Sequence, residues 1–447
     1  MKGDFTRDTF NPANHFLRVL TQQGRVQLDA DANEQIAILL HYLQTLAADL
    51  IGPYGGPNGN VGFAIITREN QINDLQTTTE EKNRLKSRLN EQKLLIGPGH
   101  YYVDGVLCEQ ASYEGYATQP NYPLPEVEQF ENLKPPYLLY LDVWERHLTH
   151  LDDPSIRDVA LNGADTATRS QVVWHVRAWP PASEQFTDVT NALRADLTTN
   201  GVHTNWSEFQ ELWQPTNRGQ LKAKALEASS LPTSPCNVPP NARYRGVENR
   251  LYRVEIHHGG GARDEQGNPV INTQTATFKW SRDNGSVVGM GRIESTGLHL
   301  SDRRDEARDV ALNPWVELCN DAQELRGEPG EFVQRSDVPG DHPKVRCWDG
   351  RDGATPIQEG NWLDLEDGIQ IQFQSAPSDQ PNTYRTGDYW LIPARAATGD
   401  VEWPGPVGHP ESLPPHGITH HYAPLASISE LGVLLDLRRN FKHSSLD

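Results

Sequence analysis

Apolar residues at every second position, in short runs punctuated by Gly and Pro, constrain this chain more than any other feature. Leu139, Leu141 and Val143 alternate with Tyr140, Asp142 and Trp144. Tyr252, Val254 and Ile256 alternate with Arg253 and Glu255, while Ala276, Phe278 and Trp280 alternate with Thr275, Thr277 and Lys279. Ile369, Ile371 and Phe373 alternate with Gln370, Gln372 and Gln374. A repeat of two matches the strand pleat, where successive side chains leave opposite faces. With 36 Gly and 32 Pro available for turns, the expected class is a β-rich α+β protein. It should have several antiparallel sheets with long loops, an N-terminal amphipathic helix and a helical insertion.

The N-terminal helix is read from Ile36, Leu39, Leu40, Leu43, Ala47 and Leu50, which recur at helical spacing. Asp31 and Glu34 stand near its start and Gly52-Pro53 ends it. That stripe predicts a docking face for a sheet or a partner. A second, mostly charged helix is expected over 79–92, with Leu85 and Leu89 as its apolar pair. Asp104-Gly105 predicts a tight hairpin turn within 101–107, and Asp283-Asn284-Gly285 another turn. Proline clusters at 118–136, 231–243 and 403–415 mark breaks. They suggest an N-terminal docking region (1–117), a central β-rich domain (137–300) with an insertion near 181–245, and a C-terminal β-rich domain (301–447). The insertion reads as helical over about 188–226, with Trp206 and Trp213 seven residues apart.

Sixty acidic residues against 40 Lys plus Arg leave a net charge of −20. Nucleic-acid binders need a concentrated basic surface, so nucleic acid is not an expected partner. Adsorption to anionic lipid is equally disfavoured. The first residues carry no apolar stretch of a secretory signal, and no run approaches the ~18 apolar residues of a membrane span. Cys108, Cys236, Cys319 and Cys347 are scattered without CxxC spacing and are expected to be reduced thiols of a cytosolic protein.

Chemistry-bearing clusters are weak. His416, His420 and His421 lie among Pro414, Pro415, Gly417 and Pro424, where no helix can align two imidazoles on one metal, so a turn is expected. Asp302, Asp305 and Asp309 alternate with arginines and lack the glycine bend of a calcium loop. Asp142, Glu145, Asp152 and Asp153 near Trp144 are the residue types glycosidases use, but such acids carry meaning only at a defined separation in space. Gly259-Gly260-Gly261 is not followed by GK[ST] and reads as a flexible hairpin tip. No catalytic residue, metal or cofactor is therefore expected, and the protein reads as a non-enzyme. Phe5, Phe10, Phe16 and Arg25 are the candidate partner-docking residues, since aromatic and arginine side chains dominate interface energetics. Internal packing is the alternative for the three aromatics.

The opening Met1-Lys2-Gly3-Asp4-Phe5-Thr6-Arg7-Asp8-Thr9-Phe10, with Arg18-Val19-Leu20 and 22–31, resembles an uncharacterised-domain family of bacterial proteins. Similar blocks follow in order: Tyr140-Leu141-Asp142-Val143-Trp144-Glu145-Arg146, 153–161, 165–169, Phe278-Lys279-Trp280-Ser281-Arg282-Asp283-Asn284-Gly285-Ser286-Val287-Val288, and 385–395. Ala32 stands where relatives tend to show an aromatic. The resemblance implies a place in gene clusters for contractile injection systems, the phage-tail-like machines with sheath, tube, baseplate and spike. It carries no catalytic residues. It implies a structural component peripheral to the baseplate, a cage, extension or anchoring element assembled in the bacterial cytoplasm. Its partners would be other baseplate and spike-region proteins and copies of itself. A second reading, a carbohydrate-binding or glycoside-cleaving β-rich module, follows from the eleven Trp and the acids on strands. A payload carried by the particle is a third.

Overall fold

The computed structural model describes residues 1–125, 132–179, 191, 217–226, 243–263, 274–294, 297–301, 315–334, 336, 338, 344–350, 353–377, 379–406 and 408–441. The alternating runs form the sheets they predict. One sheet orders the strands Leu434–Asp436, His421–Ile428, Tyr137–Leu148 and Arg169–Trp179, all antiparallel. Leu139, Leu141 and Val143 turn one face of it into a core shared with Tyr54, Tyr101, Val103 and Cys108 of a second sheet. Phe63 lies edge-on to Trp174 at 5.0 Å in that core. The second sheet orders Asn440–Phe441, Tyr54–Pro57, Gly99–Val103 and Val106–Gln110.

A separate core joins a five-stranded sheet to a three-stranded one. Arg250–Ile256 lies between Thr277–Ser281 and Tyr389–Arg395 in the larger sheet. Trp362–Asp364, Ile369–Phe373 and Leu221–Ala225 form the smaller. Phe373 packs against Phe278, Tyr384 and Trp390 at ring separations of 5.1–5.9 Å. Pairing crosses the boundaries suggested by the proline clusters. Strands at 389–395, 421–428 and 440–441 complete sheets begun at 250–256, 137–148 and 54–57.

Two expectations are corrected. Leu221–Ala225, assigned to the end of a helical insertion, is a strand. Leu221, Ala223 and Ala225 enter the core while Lys222 and Lys224 do not, which is a repeat of two. Gly260–Gly261 is no hairpin tip but a two-residue strand paired with Thr383–Tyr384. Most of the rest of the insertion, including Trp206 and Trp213, lies outside the described residues, as do Asp302, Asp305, Asp309 and Cys236.

Helix α1 spans Asp29–Ile51 and starts two residues before the expected Asp31. The Asp29 carboxylate accepts from the Thr6 amide (2.9 Å) and hydroxyl (2.6 Å), tying the N-terminal arm to the first turn. Asp31 reaches back to the Leu28 amide, and Gly52, at φ 91°, ends the helix. The short α2 spans Glu69–Asn73. Beside it α3, Thr79–Gln92, buries Leu85 and Leu89 as expected.

The turn of the Asp104-Gly105 hairpin meets α1 at Gln44. Both residues take positive φ (47° and 80°), as a two-residue hairpin turn of this hand requires. A Cβ on Gly105 would penetrate the Gln44 carbonyl group of α1. Gly105→Ala is therefore expected to cost about 1–3 kcal/mol and to pry the middle of α1 from the sheet. Thermal denaturation and amide exchange over 40–48 check this; unchanged exchange there would contradict it.

Candidate functional site

Among the described residues, most of the exposed large apolar side chains lie on the N-terminal arm and α1. α1 meets the sheet through small and polar residues: Ala30 is buried and Ala37, Gln44 and Ala48 half-buried, while Ile38 is buried beside the arm. Its large apolar side chains point away. Ile36, Leu39, Leu40, Tyr42, Leu43, Leu46 and Leu50 are 45–77% exposed. Phe16, Leu17, Leu20, Val26 and Leu28 of the arm are exposed as well.

The four predicted docking residues divide. Phe5 packs inward, edge-on to His147 at 6.1 Å. Phe10 lies 5.7 Å from the His41 ring of α1. Phe16 and Arg25 are exposed. A cavity of about 120 Å³ between arm and helix is lined by Phe10, His15, Phe16, Ile38, His41 and Tyr42. The aromatics thus split between internal packing and surface. The docking stripe read from the sequence lacked Leu46 and Tyr42, and a strict three-four count along the helix would have found Leu46.

Ionisable groups converge elsewhere, in a polar layer on the other face of the five-stranded sheet. Arg253 Nε donates to Glu255 (2.6 Å), and Lys2 Nζ reaches the same carboxylate at 2.8 Å. Lys279 Nζ donates to Glu317 at 2.6 Å and lies 3.4 Å from Glu255. Trp348 Nε1 donates to Glu317 at 2.6 Å, with Lys279 over its ring. The arm begins here. The Met1 ammonium nitrogen donates to the Tyr389 hydroxyl (2.8 Å), and the Met1 carbonyl accepts from Arg253 and Asn284. Asn284 belongs to the predicted 283–285 turn and also holds Gly3 through its side chain and its carbonyl. Burial pushes Glu255 and Glu317 up, yet their cations outweigh it. Lys2, Arg253 and Lys279 hold Glu255 well below the usual carboxylate range, and Lys279 with Lys2 brings Glu317 down to about 2. Both carboxylates find their cations within the same chain.

The suspected clusters disperse. His416 stacks on Tyr389, His420 Nδ1 lies 2.6 Å from Asp142, and His421 Nδ1 lies 2.9 Å from Asp104. Asp142 is buried, whereas Glu145 is exposed and accepts from Ser170. Asp153 caps the short turn at Pro154–Ile156. Asp152 gathers with Asp321 and Glu324, their oxygens within 4.8 Å, as a cation site would. Lys344 Nζ occupies that place, 2.6, 3.4 and 3.3 Å from the three, and Arg146 flanks it. Cys108 and Cys319 are free thiols, and burial drives Cys108 far up. No described helix is long and apolar enough to cross a membrane.

No curated protein and no solved structure matches the chain. A family model described as "Family of unknown function (DUF6519)" matches residues 1–212, 214–323 and 331–443. Because that match takes in nearly the whole sequence, the chain belongs to this family.

Proposed function

We propose that this protein is a structural, non-enzymatic component of a contractile injection particle, docking at the periphery of the baseplate through its N-terminal arm and α1. The observation that carries the reading is the outward apolar face of α1 with the exposed arm leucines beside it. A helix in a soluble monomer turns such a stripe inward, and a contiguous apolar patch of this size marks an interaction surface. The arm is held at its root by Met1 and Lys2, so the surface stands on the rigid polar layer. A charge of −20 keeps copies apart until a specific face engages. The chain-long resemblance to proteins of injection-system gene clusters supplies the setting.

Particles purified from cells lacking the gene and imaged by electron microscopy test this. The expected result is loss of density around the baseplate with sheath and tube retained. A complete baseplate region in the deletion refutes it.

A further inference from the structure

We infer that the outer face of α1 pairs with α1 of a second copy of this chain, forming a short homotypic helical seam. This deepens the docking reading above and rests on it. Ile36, Leu39, Leu43, Leu46 and Leu50 step along the helix by three, four, three and four residues. That average of 3.5 is the spacing by which one helix interlocks with another, each side chain entering a gap between four of its partner's. Leu40 and Ala47 each follow one of the seam leucines and widen the stripe on one side. A sheet or a shallow groove sets no such alternation. The seam runs on the order of 20 Å at the helical rise of 1.5 Å per residue.

Charge selects the occupant. From Gln35 to Ala48 α1 carries no Asp, Glu, Lys or Arg, so two copies meet there without the repulsion their net charge imposes elsewhere. Nothing along the seam offers an ion-pair partner to a charged helix. α1 has no Lys or Arg, and its ionic residues (Asp29, Asp31, Glu34, Asp49) are all acidic. Helices that lie on anionic membranes carry a basic polar face instead.

The area fits too. Exposures of 45–77% over the seven large apolar residues of α1 leave on the order of 600–700 Å² per copy, approaching the ~800 Å² each partner brings to a standard interface.

The test uses the full-length protein. Light scattering during gel filtration is expected to give a mass of at least two copies, and Leu43→Glu a single copy with an unchanged circular dichroism spectrum and melting curve, since Leu43 is exposed. Leu43 is the middle residue of the seam, so Leu43→Cys is expected to cross-link on oxidation whether the helices run parallel or antiparallel. Thr45→Cys and the unsubstituted protein are not. A single-copy mass for the parent at every concentration, without cross-linking of Leu43→Cys, overturns the pairing. So does Leu43-dependent binding to phosphatidylcholine–phosphatidylglycerol vesicles by a single-copy protein. The two readings separate in the particle. If the parent is single-copy yet Leu43→Glu is lost from purified particles, docking stands and self-pairing falls; if Leu43→Glu also stays in the particles, both fall.

Discussion

Lys279→Met is expected to destabilise the protein by about 3–5 kcal/mol, the usual result of removing one partner from a buried ionic cluster. Lys279 is 2% exposed and stands between Glu317 and Glu255, with Trp348 beneath it. Methionine keeps the volume and the contact with Trp348 but leaves two carboxylates in a dry layer with less positive charge. Lys2 and Arg253 still face Glu255, whereas among the described residues Glu317 keeps the Trp348 and Gly330 N–H donors, with His257 at 3.7 Å. The cost therefore falls mainly on Glu317. Adding Glu317→Gln to Lys279→Met should recover part of the loss, because an amide needs no counter-charge, and the two changes will not add. Urea unfolding followed by tryptophan fluorescence measures both. A change under ~1 kcal/mol for Lys279→Met would show that the layer is not dry.

Acid is expected to unfold the protein in two stages, the first starting near pH 6.5. Burial, with help from the Met1 ammonium and Arg346, lowers His147 to about 4. Burial, only partly offset by Asp142, lowers His175 to about 4, and burial with Lys279 lowers His257 to about 3. In the unfolded chain each imidazole takes up its proton near 6.5, while the native state refuses it until about 4 or below. Over that interval the unfolded state binds more protons, so stability falls as pH falls. Each histidine accounts for on the order of 3 kcal/mol once the pH reaches the native value. The second stage comes from carboxylates. Glu317 and Asp152, both held at about 2 against the pull of burial by Lys279 and Lys344 respectively, contribute stability above their unfolded values of 4.5 and 3.8. That contribution disappears as the pH falls toward 2. Urea midpoints taken from about pH 7 to about pH 4 should drop steadily, and His175→Gln should flatten the slope. Midpoints independent of pH across that interval would contradict the assignment.

The elements that were legible are those set by neighbours in sequence. The 79–92 helix, the Asp104-Gly105 turn and the strands at 139–143, 252–256, 276–280 and 369–373 follow from short-range periodicity and turn chemistry. The misread segment at 221–225 is short and alanine-rich, with lysines between, so its composition favours a helix while its burial obeys a repeat of two. Of the candidate docking residues, Phe16 and Arg25 remain on the surface while Phe5 and Phe10 are drawn against His147 and His41. An aromatic near a chain end carries no local sign of which way it faces.

By itself the sequence determined that the protein is built of antiparallel sheets with one long apolar-striped helix near its start, because pleat and helical pitch are written in the spacing of side chains. Tertiary structure alone decided which way that helix turns. Gly105 permits the backbone of α1 to approach the hairpin on its small-residue side, so the leucines are left outside. It also decided that Lys2, Arg253, Glu255, Lys279 and Glu317 share one layer. Alternation places Arg253, Glu255 and Lys279 on one face of their strands, but what covers a face depends on residues far away in the chain. No local pattern records that distance.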